Sequence, residues 1–332
     1  MWFMLAACIF GKKEAETDAP VDSDAPPAVV PGSCEAAGYF EPEGIYEVLS
    51  LSPIETYDVP SEDMRFLLSV PENPKAVVWV FHGSGSGIDD LQQIEYLRMY
   101  NPLFADGYAM VATDSIEQGI DSRWDSEISN ADDNVDMVRV KWLRDFVIET
   151  TAIDEDTPMF GMGFSNGSEF TGRWAFLGIR DWDWDIRALN LHNGSPFEFA
   201  KVDTYHHQME NDDVDVQRGF DGYLDEAPNK AHTLEVNVEV PLDPLRMISI
   251  GIPEEESLLA FDELVALGAI DADGVRLFDI ADFEYILNQF VNATAVSAPD
   301  KVESVLRVVW ATHRLNGEFN RPVRNLFTCD NL

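Results

Sequence analysis

The stretch that decides the fold is PMFGMGFSNGSEFTG, residues 158–172. It carries the pattern G-x-S-x-G at Gly163, Ser165 and Gly167, between an apolar run that ends at Phe164 and a stretch typical of a helix. This pattern predicts a sharp turn from a buried strand into a helix, with the serine on a strained backbone that only small neighbours permit. A serine exposed at such a turn is positioned to act as a nucleophile.

The surrounding sequence alternates between strand-like and helix-like segments. Apolar, partly β-branched runs at residues 75–81, 108–113 and 188–192 predict buried parallel strands, and residues 199–211 can form another. Helical spacing of apolar residues occurs at 89–99, 134–150 and 169–177. Strands and helices that alternate in this way predict an α/β fold with a parallel sheet covered on both faces. The first run opens into the glycine-rich loop His82-Gly83-Ser84-Gly85-Ser86-Gly87.

These motifs and their order resemble the α/β-hydrolase superfamily, and within it bacterial exported serine esterases of the polyhydroxybutyrate depolymerase type. The resemblance covers about residues 40–330 and implies a mostly parallel central sheet flanked by helices. It also implies a catalytic triad in the chain order serine, acid, histidine, with Ser165 first and His313 last. For the acid it implies a carboxylate after the next-to-last strand, at Asp212 or, as the alternative, at Asp213. Spacing does not separate these two.

The same resemblance implies the remaining parts of a serine esterase site. The backbone N–H groups of Asn166 and Ser84 are expected to form the oxyanion hole, and Trp124 is expected to line the substrate pocket. The implied activity is hydrolysis of small-molecule or polymeric carboxylic esters through an acyl-enzyme, without metal or organic cofactor. Amide hydrolysis or acyl transfer by the same triad, and ligand binding on an inactive hydrolase scaffold, stay open as alternatives.

Other histidines are better explained by structure than by catalysis. His82 is expected to hold the glycine-rich loop by a hydrogen bond to its backbone. His206 and His207 are consecutive residues of a predicted strand, so their side chains should point to opposite faces and not share a metal ion.

The predicted domain organisation has a core at residues 34–240, a cap-like insertion at 241–306 and a C-terminal core segment at 307–332 that carries His313. Within the insertion, residues 255–270 have apolar side chains at helical spacing. We expect this insertion to cover the active site and to restrict which substrates enter.

The composition is strongly acidic. With 61 acidic against 22 basic residues the formal net charge is −39, and 45% of the residues are hydrophobic. Such a charge argues against nucleic acids and anionic membrane surfaces as partners, and it predicts strong self-repulsion at low salt. The protein is expected to be a monomer. We interpret this balance as an adaptation to high salt.

The N-terminus predicts export. Residues 1–8 end in Leu-Ala-Ala-Cys, which resembles the lipid-attachment signal of bacterial lipoproteins and implies acylation of Cys8. A chance match is the alternative. Residues 9–33 are acidic and rich in proline and alanine, which predicts a disordered tether. The protein is therefore expected at the bacterial outer membrane or cell surface, held only by its lipid, or else in the periplasm or secreted. Cys34 and Cys329 are expected to form a disulfide, with two free thiols as the alternative.

Overall fold

The computed structural model of the protein describes residues 55–58, 63–117, 122–212, 214–315, 320–329 and 331. The chain divides after Ser33 into two units, and all of these residues belong to the second unit, Cys34–Leu332. The predicted signal segment with Cys8, the tether, Cys34, Asp213 and the side chain of Cys329 lie outside the described part. Among the described helices, none combines the length and the hydropathy that a transmembrane span requires.

One eight-stranded sheet forms the centre of this unit. Its strands are β1 (Glu55–Asp58), β2 (Asp63–Ser69), β3 (Ala76–Phe81), β4 (Tyr108–Thr113), β5 (Met159–Phe164), β6 (Ile186–His192), β7 (Asp203–Met209) and β8 (His232–Asn237). They lie in the order β1-β2-β4-β3-β5-β6-β7-β8. β1 and β2 pair antiparallel with their neighbours, and every pair from β4 to β8 is parallel. The predicted α/β class with a mostly parallel sheet is confirmed.

Helices cover both faces of the sheet. The described helices are α1 (Ile94–Ala105), α2 (Val135–Thr150), α3 (Asn166–Trp182), α4 (Val216–Glu226), α5 (Glu254–Leu267), α6 (Phe283–Ala293), α7 (Pro299–Val309) and α8 (Asn320–Cys329). Of these, α5, α6 and α7 pack on one another in a separate hydrophobic cluster. Alternate residues of β3 serve two cores, because successive strand side chains point to opposite faces. Trp79 and Phe81 pack in one core with α2 and α3, whereas Val78 and Val80 pack in another with α1 and α8. This two-sided burial explains why the strand sequences are continuously apolar.

The predicted helix at residues 89–99 is shifted in the structure. Asp90–Gln92 forms a separate turn of 3₁₀ helix, and Gln93 is extended, so α1 begins only at Ile94 and continues to Ala105. The helix that follows Ser165 also starts earlier than predicted, at Asn166, because the chain turns directly from β5 into α3.

The insertion at residues 241–306 is helical and has a hydrophobic core of its own. The predicted helix at 255–270 is α5, which ends at Leu267 because Gly268 adopts a left-handed conformation with φ 76°. Phe261 of α5, Leu287 of α6 and Trp310, which follows α7, belong to the same buried cluster. The covering of the active site by this insertion stays a prediction.

Candidate active site

Ser165 lies at the sharp turn between β5 and α3, as predicted. Its backbone has φ 56° and ψ −126°, a region that residues other than glycine rarely occupy. The strained turn is held in place because the Ser165 N–H donates to the carbonyl oxygen of His192 at 2.7 Å. On the other side, the Ser165 carbonyl accepts the N–H of Ser168 at 2.8 Å. Such strain is typical of functional positions whose surroundings fix them firmly.

The glycines of the motif are required by close backbone contacts. A Cβ atom on Gly163 would lie 2.3 Å from the carbonyl oxygen of Gly167. A Cβ atom on Gly167 would lie 2.2 Å from the carbonyl oxygen of Phe81, at the end of β3. Both distances are far below van der Waals contact, so any larger residue would push the turn away from the neighbouring strand. The structure therefore confirms why small residues flank Ser165 in sequence.

Asp212 and His313 form a bonded pair at the same edge of the sheet. The Nδ1 atom of His313 lies 2.5 Å from Oδ2 of Asp212. The Asp212 side chain is 2% exposed, and its other oxygen accepts the Val214 N–H at 3.2 Å, whereas the His313 side chain is 39% exposed. A carboxylate at Nδ1 selects the tautomer in which Nε2 is free to accept a proton. The structure thus brings Asp212, one of the two predicted acids, to His313, whereas Asp213 lies outside the described residues.

The ring of His313 packs against the residue before the serine. Its centroid lies 4.8 Å from that of the Phe164 ring, at an interplanar angle of 46°. His313 therefore lies next to the residue that precedes Ser165, but the Ser165 and His313 side chains form no direct hydrogen bond among the described contacts. Bonds between a nucleophile and its base are often long in unliganded enzymes and tighten when substrate binds.

Two asparagines fasten the turn that carries His313. The side-chain amide of Asn211 donates to the Trp310 carbonyl at 2.8 Å, and its backbone N–H donates to that of Ala311 at 2.9 Å. On the far side, the side-chain amide of Asn193 donates to the Arg314 carbonyl at 3.0 Å. Neither role was predicted from the sequence, although Asn193 directly follows β6 and Asn211 is the second residue after β7. The signal was weak, because bonds from asparagine to distant backbone depend on tertiary structure.

The two predicted oxyanion donors lie near Ser165 with their N–H groups available. Asn166 is the first residue of α3, and the first amides of a helix have no partner within the helix. Among the contacts of the described residues, neither the Asn166 nor the Ser84 amide donates to a protein acceptor. The glycine-rich loop approaches the serine closely, since a Cβ atom on Gly83 would lie 3.3 Å from the Ser165 Cβ. The arrangement suits an oxyanion hole, whose function stays a prediction.

His82 is a structural residue, as predicted. Its ring is 1% exposed, with Nδ1 2.8 Å from the Gly83 carbonyl and Nε2 3.1 Å from the Ser115 N–H. Nδ1 must therefore carry the proton that it donates, and Nε2 accepts. Burial lowers the pKa of His82, which keeps the ring neutral in this role.

Trp124 is one of the residues that line a cavity of about 340 Å³, but its indole is turned into the core. That this cavity receives substrate stays a prediction. The indole is 1% exposed, stacks on Phe170 at a centroid distance of 4.7 Å and meets Phe81 edge-on. Its Nε1 donates to the His82 carbonyl at 2.9 Å. Sequence placed Trp124 in a loop near the site, but burying so large an apolar ring stabilises the fold more than exposing it would. The indole thereby holds this loop against the end of β3.

The histidines of β7 point to opposite faces, as the strand geometry predicts. His206 packs against Phe220 and Tyr223, with ring centroids 5.7 and 5.3 Å away. The Nδ1 of His207 lies 3.1 Å from that of His192 on the other face. Burial lowers the pKa of His206 and of His207 to about 3. The two rings are therefore parts of different packing environments.

No protein-family model and no curated protein matches this chain. Solved structures similar to it include a thermostable esterase, with a TM-score of 0.42 and 15% identity over 55% of this chain and 54% of that one. Another is a soluble variant of monoglyceride lipase from Saccharomyces cerevisiae, with a TM-score of 0.42 and 11% identity over 57% of this chain and 88% of that one. A third is a carboxylesterase from Mesorhizobium loti, with a TM-score of 0.40 and 13% identity over 55% of this chain and 88% of that one.

The aligned region thus spans about half of the thermostable esterase. Similarity this distant has no bearing on activity. The α/β-hydrolase fold is instead evident from the strand order, the turn at Ser165 and the position of the Asp212–His313 pair after β7 and β8. None of these three structures is described as a polyhydroxybutyrate depolymerase, so that narrower resemblance stays a prediction.

Proposed function

We propose that this chain is a serine esterase that hydrolyses carboxylic esters through an acyl-enzyme intermediate. Ser165 is the nucleophile, His313 the general base and acid, and Asp212 the carboxylate that orients the histidine. One observation carries the proposal. At one edge of the sheet, a serine on a strained turn lies beside a bonded Asp–His pair and two backbone N–H groups that donate to no protein acceptor among the described residues.

The mechanism follows from the positions of these groups. His313 Nε2 accepts the hydroxyl proton as Ser165 Oγ bonds to the ester carbonyl carbon, and the carbonyl electron pair moves onto oxygen. The resulting oxyanion is stabilised by the N–H groups of Ser84 and Asn166. The tetrahedral intermediate expels the alcohol, which takes its proton from His313, and leaves an acyl-serine. Water then repeats the sequence and releases the acid. Asp212, buried and bonded to Nδ1, stabilises the imidazolium that forms in each half.

We propose that the acyl chain of the substrate lies beside the glycine-rich loop and the loop that contains Trp124, where the surroundings are polar. Two cavities border the loop that contains Trp124, with volumes of about 260 and about 340 Å³. The first is lined by Arg65, Ser86 and Asp114 among others, and the second by Arg123 and several carboxylates, while Ser165 is in the lining of neither. A long alkyl chain placed there would remove water from charged groups without offering them a hydrogen bond. We therefore expect acetyl to butyryl esters to react better than long acyl esters.

Covalent labelling tests the proposal directly. The full-length protein is treated with a fluorophosphonate, which attaches its phosphorus to an activated serine and releases fluoride. We expect labelling of wild type and of Ser129→Ala, a matched loss of an exposed hydroxyl, but not of Ser165→Ala. Equal labelling of folded Ser165→Ala would contradict the assignment of Ser165 as nucleophile. No labelling of folded wild type would contradict the esterase proposal and favour a binding scaffold.

Amide hydrolysis and acyl transfer, the two alternative reactions of the same triad, are distinguished from ester hydrolysis by their substrates and products. An amidase would release p-nitroaniline from anilides at rates comparable to those for esters, and an acyltransferase would give a new ester when a second alcohol is supplied. We expect ester hydrolysis to dominate both. Lipid attachment at Cys8, export, the disulfide and the monomeric state remain proposals from the sequence.

A further inference from the structure

The two oxyanion donors belong to separate elements that must be held at a fixed spacing. Ser84 lies in the loop after β3, whereas Asn166 begins α3. Two N–H groups stabilise one developing oxyanion only if both point at the same position, within hydrogen-bond distance of it. The contacts of residues 122–126, here named the bridging segment, show how this spacing is set.

The bridging segment is bonded to the glycine-rich loop on both sides of Ser84. The Gly85 N–H donates to the Ser122 carbonyl at 2.9 Å, and the Ser122 hydroxyl donates to the Ser86 carbonyl at 2.5 Å. Before Ser84, the Trp124 indole donates to the His82 carbonyl at 2.9 Å. The backbone around the first oxyanion donor is therefore fixed to residues 122 and 124.

The same segment is bonded to the second donor through the side chain of Asn166. The Asn166 Oδ1 accepts the Trp124 N–H at 2.7 Å, and its Nδ2 faces the Trp124 carbonyl at 3.4 Å. The same Nδ2 donates to the Glu169 carboxylate at 3.1 Å. Asn166 is 6% exposed, so water competes little for these bonds. One side-chain amide thus pairs with both backbone groups of Trp124.

The far end of the bridging segment is anchored independently. Arg173 Nε donates to the Ser126 carbonyl at 2.9 Å, and the Asn134 amide donates to that of Asp125 at 2.8 Å. The Asp136 carboxylate accepts the Asp125 N–H at 2.9 Å. Loss of the Asn166 contacts alone would therefore leave the segment attached, but no longer aligned with the start of α3.

We propose that Asn166 is a positioning residue for the oxyanion hole. Its side chain fixes the bridging segment, and through it the glycine-rich loop, so that its own N–H and that of Ser84 converge on one oxygen. This inference rests on the proposed esterase function. The role requires an amide, because one acceptor for the Trp124 N–H and one donor for the Trp124 carbonyl and Glu169 are needed at once. Since the oxyanion is absent from the bound ester and forms in the tetrahedral intermediates and the transition states beside them, the effect falls on kcat and not on KM.

The test compares Asn166→Leu and Asn166→Asp with wild type and with Asn292→Leu. Asn292 is exposed on α6 and bonded to backbone at 2.7 Å, which makes it a matched control for loss of an asparagine. For hydrolysis of p-nitrophenyl butyrate, we expect kcat to fall about 10- to 100-fold in Asn166→Leu, with KM changed less than about threefold. Asn166→Asp keeps an acceptor for the Trp124 N–H but loses the donor for the Trp124 carbonyl, so its kcat should fall less than that of Asn166→Leu. Unchanged kcat in either folded Asn166 variant would overturn the proposal.

Hydrogen exchange provides a readout that does not depend on activity. In Asn166→Leu the amides of Gly85 and Trp124 should exchange faster than in wild type. If the leucine variant does not fold, Asn166→Asp takes its place, and there the Gly85 amide should exchange faster while Trp124 keeps its acceptor. Unchanged exchange at both would show that Asn166 does not hold the segment. If wild type neither labels nor hydrolyses esters, the esterase proposal fails, whereas faster exchange in the variants would still support the positioning of the two amides.

Discussion

Replacing His206 by leucine removes a buried imidazole from β7 and should reduce the sensitivity of the fold to acid. The ring is fully buried between Phe220 and Tyr223, and neither of its nitrogens has a hydrogen-bond partner in the described part of the chain. Burial, with a smaller contribution from the neighbouring His232, lowers the pKa of His206 from 6.5 to about 3. The folded state therefore holds this histidine in its neutral form across most of the accessible pH range.

The magnitude follows from the difference in pKa between the unfolded and folded states. The unfolded chain binds the His206 proton more tightly, so this contribution to stability is complete above about pH 6.5 and is lost as the pH falls toward about 3. The loss is about 1.4 kcal/mol per pH unit, hence about 2 kcal/mol in the free energy of unfolding at pH 5. At pH 7 the leucine variant should be at least as stable as wild type, because it removes buried polar atoms that form no hydrogen bond.

Urea unfolding at pH 7 and pH 5, followed by circular dichroism, measures this effect. For each protein we take the change in the free energy of unfolding between the two pH values. Comparing this change between the two proteins cancels the titration of the surface carboxylates, which both share. We expect that change to be about 2 kcal/mol smaller in His206→Leu than in wild type. Phe220→Leu alters the same packing without removing a titratable group, so its pH dependence should match wild type. Identical pH dependence in wild type and His206→Leu would refute the reasoning.

Four further predictions follow from the site and the composition. Asp212→Asn should lower kcat about 10³- to 10⁴-fold while Asp213→Asn stays within a fewfold of wild type, as steady-state kinetics will show; the reverse order would assign the acid to Asp213. Among p-nitrophenyl esters, kcat/KM should fall from butyrate to decanoate, and a rise would contradict the placement of the acyl chain in the polar cavities. The Tm should increase between low and molar sodium chloride, because a net charge of −39 is screened; a flat or falling Tm would remove the high-salt interpretation. Mass spectrometry of exported protein without reductant should find Cys34 linked to Cys329 and a lipid on Cys8, whereas two free thiols would exclude the disulfide.

The sequence predicted those parts of the fold that depend on local pattern. The strand at residues 108–113 was predicted with its bounds, and the turn at Ser165 with its glycines, because continuous apolar runs and close backbone contacts leave direct traces in sequence. β8 was not predicted, since its sequence, HTLEVN, mixes polar and apolar residues at the edge of the sheet. β1 and β2 were also missed.

The site was predictable in its chemistry but not in its supports. Ser165 and His313 follow from motif and order, and the structure was needed to bring Asp212 to His313. The direction in which Trp124 points depends on the core that Phe81 and Phe170 form, which no local pattern reveals. The asparagines that hold the site bond to backbone far away in sequence, so their roles emerge only from tertiary structure.

The route by which the chain reaches His313 has a consequence for how substrate range could change. Trp310 belongs to the hydrophobic core of the insertion, and His313 follows it within the same turn, beyond Ala311 with its left-handed φ of 47°. His313, the proposed general base, thus follows directly on the insertion's own packing. Under the proposed function, and with the insertion covering the site as predicted, swapping this helical segment for another would shift the base together with the specificity. Selectivity and turnover would then be mechanically joined, and a graft that leaves out α7 and Trp310 should displace His313.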